Sequence, residues 1–181
     1  MLGAAQRGAP THHQPSQAMN YATVTDMVER YGDREMVALT DRDNVGEANT
    51  SLLNRSIADA TAFVDGFVGK VYKLPLLGCA KPVTVVGAAV QYVAPPVLTR
   101  ITCDLARYYL YTDLPDEHEV TRRHKQVILE LKAIADGSTQ LVCPYGGLPG
   151  TPLNADPLVS SEVYHSFAPR QITDSSLRGF A

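Results

Sequence analysis

Cations are scarce in this chain. Its 181 residues hold 16 Lys and Arg against 19 Asp and Glu, a formal net charge of -3. A protein that wraps duplex DNA draws its affinity from many cationic phosphate contacts, so that class is excluded, although nucleic acid can pass such a surface without being gripped. Membrane-like segments are lacking too. The charge-free stretch Pro82–Thr99 approaches the length of a lipid span, but Pro82, Gly87, Gln91, Pro95 and Pro96 suit a lipid-exposed helix poorly. The first twenty residues carry one cation, Arg7, and no apolar block of the signal-peptide kind, so the chain is expected to stay in the cytoplasm where it is made. Cysteines number three, Cys79, Cys103 and Cys143, an odd count at wide spacing that matches neither a disulfide framework nor a zinc set; free thiols are expected. Also missing are a Gly-rich phosphate loop, a serine elbow and any carboxylate pair whose placement can be argued from spacing. No catalytic residue, metal or cofactor is therefore expected.

Apolar material is plentiful. Hydrophobic residues make up 45% of the chain and charged ones 19%, enough for a packed core. The length suits one compact domain with appendages. Residues 1–18 hold almost no large apolar side chain and read as a flexible extension, in which His12 and His13 are solvated. The domain proper is expected over residues 19–137, as a mainly α bundle of four to five helices. A short helix from about Thr25 has Met27, Val28 and Tyr31 on one face and stops at Gly32; Asp33 can cap a second with Met36, Val37 and Leu39. Leu53, Ile57, Ala60, Val64, Phe67 and Val71 then recur every three to four residues, predicting a long helix over about Leu52–Val71. Pro96 opens another, with Leu98, Ile101 and Leu105 inward, running to Thr112 and expected to be the most buried. Pro115 with Asp116, Glu117 and Glu119 opens a last helix that lines Val120, Val127, Ile128, Leu131 and Ile134 inward and ends at Gly137; Glu119 and Arg123 form an i, i+4 pair. Between the long helices, residues 74–95 mix β-branched residues with Gly and Pro and predict an inserted hairpin or ordered loop. Residues 138–181 hold five Pro and four Gly and read as an extended C-terminal arm.

Motifs that could carry chemistry fall short of it. Asp41, Asp43 and Gly46 resemble the front of a calcium loop, but Val45 and Leu52 occupy ligand positions, leaving a polar turn. His118, Glu119 and His124 have a spacing of six between the histidines where one helical face needs four, leaving a solvated helix face. Cys103 lies on the apolar side of its helix, as a small hydrophobe. The basic cluster Arg122, Arg123, His124 and Lys125 splays over more than one face; it is the weak support for a rival reading, a small helical DNA-binding regulator. Tyr108, Tyr109 and Tyr111 cannot all face inward, because successive positions rotate by roughly 100°. At least one should present its ring at a surface, where aromatics favour subunit contacts.

These residues in this order resemble the head-tail connector, or adaptor, proteins of Mu-like long-tailed phages and prophages. The resemblance is carried by Tyr21-Ala-Thr-Val-Thr-Asp-Met-Val-Glu-Arg-Tyr-Gly, Glu35-Met, Leu39-Thr-Asp-Arg-Asp-Asn, Leu53-Asn-Arg-Ser-Ile-Ala-Asp-Ala, Asp65-Gly and Tyr72-Lys-Leu-Pro-Leu. It continues in Pro95-Pro-Val-Leu, Cys103-Asp-Leu-Ala-Arg-Tyr-Tyr-Leu-Tyr and Pro169-Arg-Gln-Ile-Thr-Asp-Ser-Ser-Leu-Arg-Gly-Phe. Residues 1–18 precede the usual family start, and Leu77–Ala94 is longer than the family's connection. The resemblance implies a virion protein at the neck, made in the host cytoplasm. It would form a dodecameric ring beneath the portal and above a tail-side stopper or terminator protein, with DNA passing through and no membrane or enzymatic activity.

On that reading, the subunit interface is expected to use Tyr108, Tyr109 and Tyr111 with Val83, Val85 and Tyr92 of the insertion. Portal capture is expected to use Phe167, Pro169, Arg170, Ile172, Thr173, Leu177, Arg178 and Phe180 of the arm, since an extended segment can add backbone hydrogen bonds and side-chain pockets on a partner.

Overall fold

A computed structural model describes residues 19–85 and 87–153. Residues 1–18 with His12 and His13, and the arm from residue 154 onward with all eight expected portal contacts, lie outside the described residues. Within them the chain is mainly α, with α1 (Val24–Tyr31), α2 (Asp33–Thr40), α3 (Thr50–Val68), α4 (Pro96–Leu110) and α5 (Glu119–Ala135). A two-stranded hairpin, β1 (Cys79–Ala80) with β2 (Tyr92–Val93), is inserted between α3 and α4.

The helix boundaries follow from local chemistry. Thr23 and Asp26 form a reciprocal capping box, the Thr23 amide donating to Asp26 Oδ2 at 2.7 Å, so α1 starts ahead of Thr25. Gly32 at φ 85° supplies the left-handed corner to α2, with Asp33 inside that helix and not its cap. Asn49 caps α3. That helix stops at Val68, short of Val71, because the Val71 carbonyl turns outward to accept from the Leu153 amide at 2.7 Å. The last turn of α4 ends at Leu110 and not Thr112, since extended Tyr111 swings its hydroxyl onto Glu35 at 3.1 Å. Residues 115–118 form a turn instead of the first turn of α5, and His118 Nδ1 caps that helix by accepting from the Val120 amide.

Three long helices build the core. α4 packs most extensively on α3, and α5 closes against both. Leu53, Ile57, Ala60 and Val64 of α3 meet Leu98, Ile101 and Leu105 of α4 and Leu131 and Ile134 of α5, all of them buried. Met27 and Met36 plug α1 and α2 onto this layer. Cys103 is buried there as a free thiol, and burial pushes its pKa up to about 12, which makes it inert.

The hairpin pairs Cys79 with Val93 and Ala80 with Tyr92, and the Lys81 amide extends it by donating to Gln91. Gly78 enters it at φ 90°, and a Cβ there would meet the Val93 carbonyl oxygen at 2.8 Å, so no other residue fits without a shift. Residues 138–153 then return across residues 71–79 as a strap. Tyr72 bridges Pro152, the Lys73 amide donates to Thr151, the Gly78 amide donates to Pro149, and Tyr72 Oη accepts from the Leu141 amide. This return corrects the expectation of free thiols: Cys79 and Cys143, separated by 64 positions, form a disulfide. Their spacing hides the pairing because it depends on the strap coming back over the insertion.

Candidate interaction surface

Polar contacts fasten the small helices onto the bundle. The Tyr31 hydroxyl donates to buried Asp104 at 2.8 Å, and Asp104 also faces the guanidinium groups of Arg100 and Arg123, each at 3.6 Å. Arg100 reaches on to Glu130 of α5. Arg107 donates to Glu35 of α2 at 2.7 Å and lies over the Tyr31 ring. Burial, with the neighbouring Asp104 carboxylate, pushes the Tyr31 phenol well above its ordinary pKa, so it stays a donor. Tyr21 likewise bonds to Asp65 and is raised by burial first. Sequence periodicity missed this network because its partners lie far apart in the chain. The one local signal is Asp104 itself, a carboxylate between Cys103 and Leu105 on the buried side of α4.

Arg123 and Lys125 of the basic cluster 122–125 take partners within the chain. Arg123 pairs with Glu119 at 2.9 Å, as its spacing predicts, and with Asp104; Lys125 pairs with Asp116 at 3.2 Å. His118 keeps the exposed position expected of it, and His124 is half-buried instead. His118 caps α5, and His124 stacks flat on Tyr108, ring centroids 3.9 Å apart. Burial in that stack lowers the His124 pKa. A depressed folded-state pKa contributes stability above the unfolded value near 6.5, lost as pH falls. The unfolding midpoint in urea is therefore expected to drop as pH falls from about 7 to about 5, with a flatter profile in His124→Phe.

The six residues expected at a subunit interface fall in two places. Tyr108, Tyr109 and Tyr111 ring a shallow depression at the end of α4, where Tyr109 is exposed, Tyr108 is half-covered by His124 and Tyr111 is held by Glu35. Val83, Val85 and Tyr92 stand exposed on the hairpin. Near the hairpin lie exposed residues the sequence reading passed over: Leu77 at its base, and Val142, Tyr145 and Leu148 on the strap tied to it through Cys143. Residues 74–95 contain a single charge, Lys81, and residues 138–153 contain none. The hairpin and the strap clasped to it thus make an apolar end, two segments with exposed apolar side chains and one charge between them.

Asp41 accounts for the calcium-like loop without an ion. Its carboxylate accepts from the Val45 and Gly46 amides at 2.9 and 2.7 Å, and those bonds lower its pKa. Among the described residues no three His, Cys, Asp or Glu side chains gather as a metal site, and no helix is long and apolar enough to cross a membrane.

Comparison with known proteins agrees with this anatomy. The family described as "Bacteriophage Mu, Gp36" matches residues 21–154, from buried Tyr21 through the helices, hairpin and strap. The chain is also 30% identical over 122 residues to "Gene product J" of Escherichia phage Mu, an alignment covering 67% of this chain and 75% of that protein. A match running the length of the folded domain makes this chain a member of the Bacteriophage Mu Gp36 family of phage proteins.

Proposed function

We propose that the protein is a structural component of the virion neck. It forms a homo-oligomeric ring, expected to be a dodecamer, under the portal and links capsid to tail while DNA passes through the ring. The observation that carries this reading is the apolar end. Val83, Val85, Val90 and Tyr92 of the hairpin and Tyr145 and Leu148 of the strap are all exposed, on segments with one charge between them. Clustered exposed apolar side chains on nearly uncharged segments are a mark of surfaces that meet a partner. A face that meets a different face on the next copy makes a heterologous contact, which closes into a ring when the rotation allows. Membership of a phage protein family supports the setting. The net charge of -3 suits a passage that must not hold phosphates. The arm from residue 154 onward would be captured by the portal, and the opposite side of the ring by a tail-side stopper or terminator protein. No catalytic step, cofactor or membrane enters this role. A DNA-binding regulator has less support, because two cations of the 122–125 cluster are paired internally.

The test is electron microscopy and native mass measurement of the purified chain with and without the portal of its phage. Rings of identical copies seated on the portal are the expected result, and replacing residues 82–90 with a short Gly-Ser turn should leave monomers. Phage particles that join capsid to tail normally without this chain would overturn the proposal.

A further inference from the structure

The Cys79–Cys143 pair sits where it can control the apolar end without touching the fold. The helical core is complete without either sulfur: the cluster from Tyr21 to Leu141 is built by α1 to α5 with Tyr72, Leu76 and Leu141. The disulfide joins two weakly held pieces. On one side is a hairpin with two paired positions per strand. On the other is the strap, whose hydrogen bonds to residues 71–78 come from positions 141, 149, 151 and 153. Between those anchors, residues 142–148 form a turn held by its own Cys143–Gly147 and Gly146–Cys143 bonds and by the disulfide. Opening the disulfide therefore removes the covalent tie between the hairpin and the turn that carries Tyr145 and Leu148.

We propose that Cys79 and Cys143 form a reversible thiol–disulfide site, with glutathione-type small disulfides and thiols as co-reactants, that sets the rigidity of the apolar end of the molecule. In the oxidising direction the Cys143 thiolate attacks one sulfur of the small disulfide, whose other half leaves as a thiolate. The Cys79 thiolate then attacks the Cys143 sulfur of the mixed disulfide and expels the second half. Two protein thiols and one small disulfide become one protein disulfide and two small thiols. Cα atoms 5.4 Å apart bring the sulfurs together without moving the backbone. Cys103 is walled in by the helices and takes no part. Cys79 and Cys143, also buried in the closed form, are covered by the hairpin and the turn and become reachable when those pieces open. A chain made in a reducing cytoplasm and carried in released particles meets both conditions, so the clasp would close as the surroundings oxidise. Its consequence rests on the ring reading: the clasp closes after the ring has assembled, and fixing the hairpin and turn against the next copy makes that contact harder to open in released particles.

The experiment equilibrates the full chain in buffers of reduced and oxidised glutathione. Oxidation should yield a Cys79–Cys143 cross-linked peptide by mass spectrometry, with Cys103 alkylated only after denaturation. Chymotryptic cleavage at Tyr145 should run at least about tenfold faster in the reduced form, while helical circular dichroism is unchanged. The double variant Cys79→Ser/Cys143→Ser should be cleaved at the reduced rate in both buffers. Failure of the cross-link to form, or equal cleavage rates in both forms, overturns the proposal whether or not rings assemble. A site that forms and stiffens as described while no ring appears in either form supports the proposal and counts against the ring.

Discussion

Truncation after Ser166 abolishes attachment to the portal and leaves the helical domain folded: that is the expected result. Every buried hydrophobic residue among the described residues lies between Tyr21 and Cys143, so removing residues 167–181 takes no described side chain out of the core. Far-UV circular dichroism and the thermal midpoint should stay close to those of the full chain. Binding should not. The lost segment carries Phe167, Ile172, Leu177 and Phe180 with Arg170 and Arg178. Aromatic anchors in an interface each cost about 2 kcal/mol or more when removed, so losing both phenylalanines alone weakens binding about a thousandfold. Calorimetric titration against purified portal measures the loss, and Phe167→Ala/Phe180→Ala should reproduce most of it. Attachment that survives truncation would refute the arm's role and move portal binding to the helical domain.

Periodicity made the helices legible because each is amphipathic over several turns. Leu53, Ile57, Ala60 and Val64 fall on one stripe, and all four are buried. Boundaries were less legible where a distant residue decides them. Val71 leaves α3 for Leu153, and Tyr111 leaves α4 for Glu35; neither partner can be found by reading neighbours. The insertion could be placed from its Val, Gly and Pro content, since those residues resist a helix. Its covalent partner could not, because Cys143 reaches Cys79 only after the strap has crossed Tyr72. The tyrosines show the same limit within one helix. Rotation alone requires that they diverge, but the stack on His124 and the bond to Glu35 decide which ring is left facing outward. Local pattern thus reports which face of an element is apolar, while long-range polar pairs and the disulfide decide how irregular segments attach to it.

Leu105→Ala should cost about 3 kcal/mol of unfolding free energy, a substantial part of what a domain of this size possesses. Leu105 is fully buried on α4, the helix that α3 and α5 both pack against. Truncation there loses the transfer free energy of the side-chain carbons and leaves a cavity that cannot collapse easily, because the surrounding helices are held at their ends. Asp104, one residue earlier, is fixed by Tyr31 and by the arginines of α4 and α5, so rotating α4 to refill the space would break those contacts. The thermal midpoint should fall by about 10 °C. Leu129→Ala is the matched control. Leu129 is 65% exposed on the outer face of α5, and its removal should change stability by less than about 0.5 kcal/mol. Urea denaturation of both variants measures the difference. Equal, small effects would show that the α3–α4–α5 layer does not hold the domain together, and a ring built from it would then need stabilising contacts supplied by its neighbours.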